Sequence, residues 1–255
     1  MFGHSEAFSD YEYQHDENID FVCFTDDRNL KSNFWNIVYV DSASLGPVKT
    51  SKMVKLLPHR FLKSYSRSLY IDNTVKLNEL PKNIFERYRN SKMVCFEHPW
   101  WNCIYIETEK LIELGYDDEA ILLRQADSYR KSHYPANHGL IAGTVLLRNH
   151  REKEIIKLME VWFGEVLKHS YRDQMSFNYS AWKVGFKPDY FEGKLDGNDL
   201  MQWPVYTGHR LPRGFRDEAY LDLNPDLREI EMSPRQHYIL YGANEGRKWS
   251  RDVFS

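Results

Sequence analysis

Residues 68 to 74, Ser-Leu-Tyr-Ile-Asp-Asn-Thr, form a short apolar run that ends abruptly in polar residues. Such a run predicts a buried β-strand that stops at Asp72. In open α/β sheets, ligands bind beyond the carboxyl ends of the strands. The side chains of Asp72 and Asn73 are therefore the first candidates for a binding site. The alternative is an ordinary turn, since Asp and Asn are both common turn residues.

Apolar runs and helical spacings alternate on both sides of this strand. Strands are predicted at residues 20–25, 35–40, 68–71, 93–96 and 139–148, and helices at 47–62, 80–88, 117–130, 152–168 and 172–182. This alternation predicts an α/β fold with a mostly parallel sheet flanked by helices. Residues 1–196 form the predicted main domain, 197–216 a connector rich in Gly and Pro, and 217–255 a small helical C-terminal module.

Composition excludes several classes of protein. The chain has 255 residues, a net charge of −3 and a pI near 6.4, so it lacks the positive field that a nucleic-acid-binding protein needs. Three dispersed cysteines form neither a disulfide framework nor a CxxC metal motif. No apolar run approaches the roughly 18 residues of a membrane span. We therefore expect a cytoplasmic protein whose contact with the inner membrane would be peripheral.

Further polar candidates follow other predicted strands or share a helix face. Asp26 ends the strand at 20–25, and His98 follows the strand at 93–96 together with Trp100 and Trp101. In one interpretation, His98 contacts a metal ion or a phosphate while one of the Trp side chains stacks on a ring of the ligand. In the other, the segment is an interface loop that packs on the domain. Lys55 and His59 lie four residues apart on one helix and therefore face the same side. The two side chains either bind a diphosphate together or belong to a solvated face of the helix.

Arg172, Asp173 and Gln174 open the predicted helix at 172–182. A carboxylate in this position either caps the helix N-terminus or points at a substrate. We take all three as catalytic candidates. The chain contains no GxGxxG, Walker, GxSxG or HExxH motif, so dinucleotide-binding, ATPase, serine-hydrolase and zincin functions lose their usual support.

In order, these segments resemble a family of GT-A glycosyltransferases from bacterial polysaccharide loci and plant cell-wall proteins. The matching stretches span about residues 20 to 185 and comprise Phe21–Asp27, Trp35, Lys55–His59, Ser68–Asn73, His98, Tyr105–Glu107, Arg148 and Ser170–Ser176. The motif order is also similar to glycogenin-like transferases. The resemblance implies a GT-A-like, Rossmann-like catalytic domain in which Asp72 contributes to the metal and diphosphate site, Gly143 lines the sugar pocket and Asp173 approaches the sugar.

The resemblance implies a hexosyltransferase that uses a nucleotide-diphosphate sugar, with UDP-sugar favoured. Its cofactor would be Mn²⁺ or Mg²⁺, bound by Asp72 and His98. Its acceptor would be a surface glycan, such as a lipopolysaccharide, or a lipid-linked oligosaccharide. Thr74 stands where a full DxD motif has a second acid, and relatives carry a first strand that ends near a pair like Phe2-Gly3. These departures favour the alternative of a non-catalytic glycan-binding or scaffold protein.

Overall fold

The computed structural model describes residues 1 to 250 and shows an α/β fold. The strands are β1 (Val22–Thr25), β2 (Asn36–Tyr39), β3 (Ser68–Ile71), β4 (Lys76–Leu77), β5 (Met93–Glu97), β6 (Ile141–Arg148), β7 (Asp189–Tyr190) and β8 (Met201–Gln202). The helices are α1 (Gly46–Leu56), α2 (Pro58–Phe61), α3 (Pro81–Arg87), α4 (Ile104–Glu113), α5 (Glu119–Lys131), α6 (Lys153–Lys168), α7 (Gln174–Val184), α8 (Asp217–Leu223) and α9 (Pro234–His237). A 3₁₀-helix at Pro225–Glu229 and a π-helix at Tyr238–Gly242 are the other helical elements of the described residues.

All five predicted strands occur near their predicted positions, and β3 has its predicted bounds. The helix predicted at 47–62 divides into α1 and α2 around Leu57, whose φ of −116° and ψ of 50° are not helical. Pro58 explains the division, because its ring disfavours helical backbone in the preceding residue and supplies no N–H. The helix α4 was not predicted.

The largest sheet is mixed rather than mostly parallel. Its order is β3-β6-β5-β7, with β6 antiparallel to both β3 and β5, and β5 parallel to β7. Every residue of β6 is buried. A strand covered on both faces has a continuous apolar sequence whichever way it runs, so the pattern that predicted a parallel strand did not fix its direction.

The sheet separates two apolar clusters, one on each face. The first contains Trp162 of α6 and Phe177 of α7 and also receives Tyr70 of β3. The second contains Val145 of β6 and receives Leu69, the neighbour of Tyr70. Adjacent strand residues point to opposite faces, which is why Leu69 and Tyr70 enter different clusters. No helix within residues 1 to 250 is long and apolar enough to cross a membrane.

The strands β1 and β2 form a separate parallel pair. A cavity of about 500 Å³ lies between β1 and β3 and is lined by Val22, Cys23 and Phe24 on one side and by residues 68–71 on the other. We call this cavity the β1–β3 slot. It extends to Lys52, Lys55 and Asp72 at the carboxyl end of β3.

Residues 217 to 250 are mainly helical, and their Tyr220, Leu227 and Tyr238 form an apolar cluster together with Phe215 of the preceding segment. Gln236 joins this segment to the rest of the chain by donating a hydrogen bond to Asp27 at 2.7 Å. The division into domains stays a prediction. The last residues of the predicted module, 251 to 255, lie outside the described part of the chain.

Candidate active site

A buried ion pair joins the end of α1 to the start of α7. Lys55 Nζ lies 2.6 Å from Asp173 Oδ2, and Lys52 Nζ lies 3.3 Å from the same oxygen. Asp173 is the N-cap of α7, where its other oxygen accepts a hydrogen bond from Gln174 N at 3.1 Å. Burial opposes ionisation, but the two lysines outweigh it and hold the pKa of Asp173 well below its usual value. The aspartate is therefore a permanent anion at neutral pH.

Gly143 in β6 lies directly beneath this pair. A Cβ at this position would lie 3.2 Å from Lys55 Nζ and 3.5 Å from Asp173 Oδ2. The backbone there is not in a left-handed conformation, so the glycine is needed for space rather than for its φ angle. The missing side chain lets the lysine and the aspartate meet above the strand.

Asp72 is the more exposed carboxylate of this group. It follows β3, accepts a hydrogen bond from Tyr70 Oη at 2.5 Å and lies 3.8 Å from Lys55 Nζ. Its side chain is 38% exposed, whereas that of Asp173 is 8% exposed. Burial and the neighbouring Asp72 raise the pKa of Tyr70 well above its usual value, so its hydroxyl stays a donor. Asp72 is thus oriented by Tyr70 and remains accessible to a ligand.

A second polar cluster surrounds Glu107 of α4, which is 2% exposed. Trp101 Nε1 donates to its carboxylate at 2.6 Å, and the side-chain amide of Gln174 donates to the other oxygen. His98 Nε2 lies 3.8 Å from the same carboxylate. Burial lowers the pKa of His98, although Glu107 opposes the shift. Because Gln174 follows Asp173, this cluster continues the first one along α7.

The remaining predicted residues have other contacts. Asp26 accepts hydrogen bonds from Gly3 N at 3.0 Å and from Ser42 Oγ at 2.8 Å. Asn73 accepts from Ser9 N at 2.8 Å and donates to the carbonyl of Ala7 at 2.7 Å. Both side chains therefore hold the N-terminal segment against the carboxyl ends of β1 and β3.

His59 and Arg172 lie at the margins of the group. His59 Nε2 lies 2.7 Å from Glu160 Oε1 on α6, so its ring faces α6 rather than the Lys55–Asp173 pair. The guanidinium of Arg172 lies 5.2 Å from the ring centre of Tyr116. The structure thus brings together Lys55, Asp72, Gly143 and Asp173, connects Gln174 and His98 through Glu107, and leaves His59 apart.

Three residues of this site were not predicted. Lys52 has a detectable signal, since it lies three residues before Lys55 and so shares its helix face. Tyr70 has one too, because its side chain points to the same face of β3 as Asp72. Glu107 belongs to the stretch Tyr105–Glu107 that carries the family resemblance, but with α4 unpredicted nothing singled it out as a site residue.

The described residues form no ready-made metal site. Within residues 1 to 250, no three His, Cys, Asp or Glu side chains lie close enough together to hold a metal ion. His98 does not join Asp72, because its Nδ1 faces Trp101 N at 3.4 Å and its Nε2 faces Glu107. Asp72 alone fits the mode in which Mg²⁺ is bound by one carboxylate together with phosphate oxygens of a substrate.

Comparison with known proteins identifies relatives of the chain. Residues 12 to 193 match the family model described as TOD1/MUCI70, glycosyltransferase-like domain. A protein of Arabidopsis thaliana named "Probable hexosyltransferase MUCI70" is 28% identical over 197 residues, which cover 72% of this chain and 34% of that protein. The chain thus spans about a third of the length of this curated relative. No solved structure matches the chain significantly.

Proposed function

The chain belongs to the TOD1/MUCI70 glycosyltransferase-like family, and we propose that it transfers a hexose from a nucleotide-diphosphate sugar, with UDP-sugar favoured, to a glycan. The similarity to a protein named a probable hexosyltransferase supports sugar transfer in general. The choice of donor and acceptor rests on the chemistry of the site and on its GT-A-like motif order.

The observation that carries the proposal is the buried Lys55 between Asp72 and Asp173. Transfer breaks the bond between the sugar C1 and the diphosphate oxygen, so negative charge develops on the leaving group. A preorganised cation in a water-poor site stabilises such charge strongly. Lys55 is held by Asp173, and Lys52 adds a second cation beside it. The two lysines are the groups that we assign to the departing diphosphate.

We assign Asp72 to donor binding through a divalent cation, Mn²⁺ or Mg²⁺. Its partly exposed carboxylate would share the ion with the donor's phosphate oxygens. The ion would supply further positive charge to the leaving group. Tyr70 orients the carboxylate of Asp72, and the ammonium group of Lys55 partly compensates its negative charge before the ion binds.

The acceptor side of the proposal rests on Trp100. Its side chain is 65% exposed, and its ring packs against His98 and Trp101 at centroid distances of 5.4 and 5.5 Å. An exposed, firmly held indole offers an apolar face on which a sugar ring stacks. The acceptor we propose is a growing surface glycan or lipid-linked oligosaccharide, which the protein meets in the cytoplasm at the inner membrane.

The decisive experiment combines calorimetry with a donor-hydrolysis assay. We expect UDP to bind in the presence of Mn²⁺, and Asp72→Ala to abolish both donor hydrolysis and transfer. Asp127→Ala is the matched control, since Asp127 is an exposed aspartate that pairs with Lys131 on α5. Retained activity in Asp72→Ala would overturn the role of Asp72.

A non-catalytic glycan-binding or scaffold protein is the second candidate, favoured by Thr74 in place of a second acid. Thr74 also uses its carbonyl oxygen to accept a hydrogen bond from Val205 N at 2.8 Å, so this segment has a structural contact of its own. The same titration separates the two candidates. No binding of any nucleotide, with glycan binding retained, would favour the scaffold.

A further inference from the structure

Trp182 carries a partly exposed indole in the last turn of α7, away from the residues assigned above. It is 38% exposed. The centroid of its ring lies 5.9 Å from that of Tyr179 and 5.5 Å from that of Tyr134. Tyr179 in turn stacks on Tyr129 at 3.8 Å, and all three tyrosines are buried. A layer of buried rings therefore supports the indole from behind and fixes its position at the surface.

A loop beside Trp182 connects it with the part of the site that carries Trp100. This loop, residues 132–139, has the sequence Ser-His-Tyr-Pro-Ala-Asn-His-Gly, and it contacts Trp182 through Tyr134. The backbone N–H of His98 donates a hydrogen bond, at 2.9 Å, to the carbonyl of the residue that follows the loop. Because His98 also packs against Trp100, the 132–139 loop bridges the two exposed indoles.

The distance along α7 sets the size of an occupant that reaches both indoles. Gln174, the first residue of α7, contacts Glu107 beside Trp101. Trp182 follows Gln174 by eight positions, which corresponds to about 12 Å along the helix axis. This distance exceeds one sugar ring. An occupant that extends from the active site to Trp182 therefore has several units.

The polar groups that the 132–139 loop exposes are an amide and imidazoles. Asn137 and His138 are exposed, and the ring of His138 meets that of Tyr134 edge-on at a centroid distance of 5.5 Å. Tyr105 Oη donates to the carbonyl of Tyr134 at 2.8 Å and so anchors the loop. A side-chain amide both donates and accepts hydrogen bonds, as does a neutral imidazole. Sugar hydroxyl groups require this combination.

The same surface disfavours other occupants. Stable protein interfaces bury about 1,200–2,000 Å² in total, whereas the loop offers one exposed indole among polar and small side chains. A nucleic acid requires cations for its phosphates, but the 132–139 loop contains no Lys or Arg. Lys183, which follows Trp182, is paired with Glu165 at 3.6 Å. A fixed ring together with neutral donors and acceptors suits a sugar.

We propose that Trp182 and the 132–139 loop form a distal subsite for the glycan acceptor. A sugar ring several units away from the reacting end stacks on the indole of Trp182, while Asn137 and His138 bind hydroxyl groups of the same stretch. The inference rests on the glycan acceptor of the proposed function, but not on the transfer reaction. The subsite makes the protein prefer an elongated chain to a disaccharide.

The test measures glycan binding by calorimetry without donor or metal ion, so no activity is needed. The probes are the disaccharides and hexasaccharides of cellulose, xylan and amylose. The unmodified protein is compared with Trp182→Ala and with Trp182→Phe, which keeps an aromatic face. Leu123→Ala is the control, since Leu123 is an exposed apolar residue of α5 at 49% exposure. His138→Ala repeats the test in the exposed loop and leaves the layer of buried rings intact.

We expect at least one hexasaccharide to bind the unmodified protein more tightly than its disaccharide does. Trp182→Ala should weaken the hexasaccharide about tenfold, the loss of one aromatic contact, and leave the disaccharide unchanged. Trp182→Phe should retain part of the affinity, and Leu123→Ala all of it. His138→Ala should weaken the hexasaccharide alone by about threefold, as expected for one hydrogen bond.

Three results would overturn the subsite: no hexasaccharide binds the unmodified protein, both lengths lose equally in His138→Ala, or Trp182→Ala binds the hexasaccharide unchanged. The subsite and the transfer reaction can fail separately. If UDP does not bind but Trp182→Ala weakens the hexasaccharide selectively, the transfer reaction is wrong and the subsite is confirmed. If UDP and the disaccharide bind and the hexasaccharide is indifferent to Trp182, the subsite alone is wrong.

Discussion

Lys55 Nζ and Asp173 Oδ2 lie 2.6 Å apart, although 118 positions of sequence separate their residues. Their side chains are 3% and 8% exposed, so each charge depends on the other for stabilisation. Removing one partner of a buried ion pair lowers the free energy of unfolding by more than the intact pair contributes, because the remaining charge is left without compensation. The position of the cation therefore depends on an aspartate from another helix and on the space above Gly143.

Gly143→Ala tests whether this space controls donor binding. The added methyl group would lie 3.2 Å from Lys55 Nζ, which displaces the ammonium group from its present position. We expect kcat/KM for the donor to fall about tenfold, since a displacement near 1 Å can cost about 100-fold in rate and the methyl group forces a smaller shift. Steady-state kinetics on purified protein measure the change.

Gly164→Ala is the matched control for this substitution. Gly164 lies in α6, where an added Cβ meets nothing within 4 Å. Alanine in a helix interior is more stable than glycine by about 0.5–1 kcal/mol. The control should therefore retain its kinetics and gain stability. An unchanged kcat/KM for the donor in Gly143→Ala would contradict the assignment of Lys55 to the departing diphosphate.

The charges of Lys52, Lys55 and Asp173 predict that loss of the aspartate lowers the free energy of unfolding more than loss of Lys55 does. Lys55→Met leaves Asp173 with Lys52 at 3.3 Å, whereas Asp173→Asn leaves two adjacent ammonium groups without their main counter-charge. We expect Asp173→Asn to cost more, toward the upper end of the 3–5 kcal/mol that is typical of a broken buried pair. Urea unfolding of both variants measures the difference. A larger loss in Lys55→Met would show that the lysine does not depend on the aspartate.

Glu107→Gln tests the second cluster. The amide oxygen can still accept one hydrogen bond, but the amide nitrogen cannot accept the bond from Gln174 or Trp101 that the lost oxygen accepted. We expect transfer to fall by about tenfold or more and the fluorescence of Trp101 to change. Glu113→Gln, on the exposed side of the same helix with 64% side-chain exposure, should change neither. Full activity in Glu107→Gln would reduce Glu107 to a packing role.

The strand β3 was predictable from local sequence, since four residues between polar neighbours fix both its bounds and the position of Asp72. The pairing of Lys55 with Asp173 was not predictable in the same way. Each residue has a local signal, but their contact depends on how α1 and α7 pack over β6. Spacing on one helix also suggested His59 as a partner of Lys55, yet the break at Pro58 turns His59 toward Glu160.

The direction of β6 and the presence of α4 show two further limits. Burial on both faces gives β6 the same apolar sequence in either direction. Residues 104–106, Ile-Tyr-Ile, begin α4 with a continuous apolar run that lacks the 3.6-residue period. Only tertiary packing decides these cases, so the place of Glu107 in the site was not predicted, although Tyr105–Glu107 carries the family resemblance.

His150 predicts a pH dependence of stability. It is fully buried, with Nδ1 at 3.1 Å from Ser68 Oγ and Nε2 at 2.8 Å from the carbonyl of Tyr65. Burial lowers its pKa in the folded state, while the unfolded residue titrates near about 6.5. At a pH between the two pKa values of His150, the unfolded state binds more protons than the folded state. The contribution of His150 to stability is therefore fully present above about pH 6.5 and is lost as the pH falls below it.

His150 contributes at most about 1.4 kcal/mol per pH unit to the slope of the free energy of unfolding against pH. Urea unfolding at several pH values from 7 downward measures the slope. His150→Gln should lower stability at pH 7 but make the slope shallower, whereas the same substitution at exposed His15 should leave the slope unchanged. An identical slope in His150→Gln would show that His150 does not carry the effect.

Trp100→Ala separates acceptor binding from donor chemistry. Trp100 is 65% exposed, so its loss should leave the fold intact, while the stacking face for a sugar is removed. We expect the acceptor KM to rise by about tenfold, which corresponds to about 1.4 kcal/mol, with unchanged donor hydrolysis in the absence of acceptor. Trp100→Phe should restore part of the affinity, because an aromatic face remains. Leu114→Ala, another exposed apolar residue at 50% exposure, serves as the control for general surface effects. If Trp100→Ala lowers donor hydrolysis as strongly as transfer, the indole acts on the donor site through His98 rather than on the acceptor.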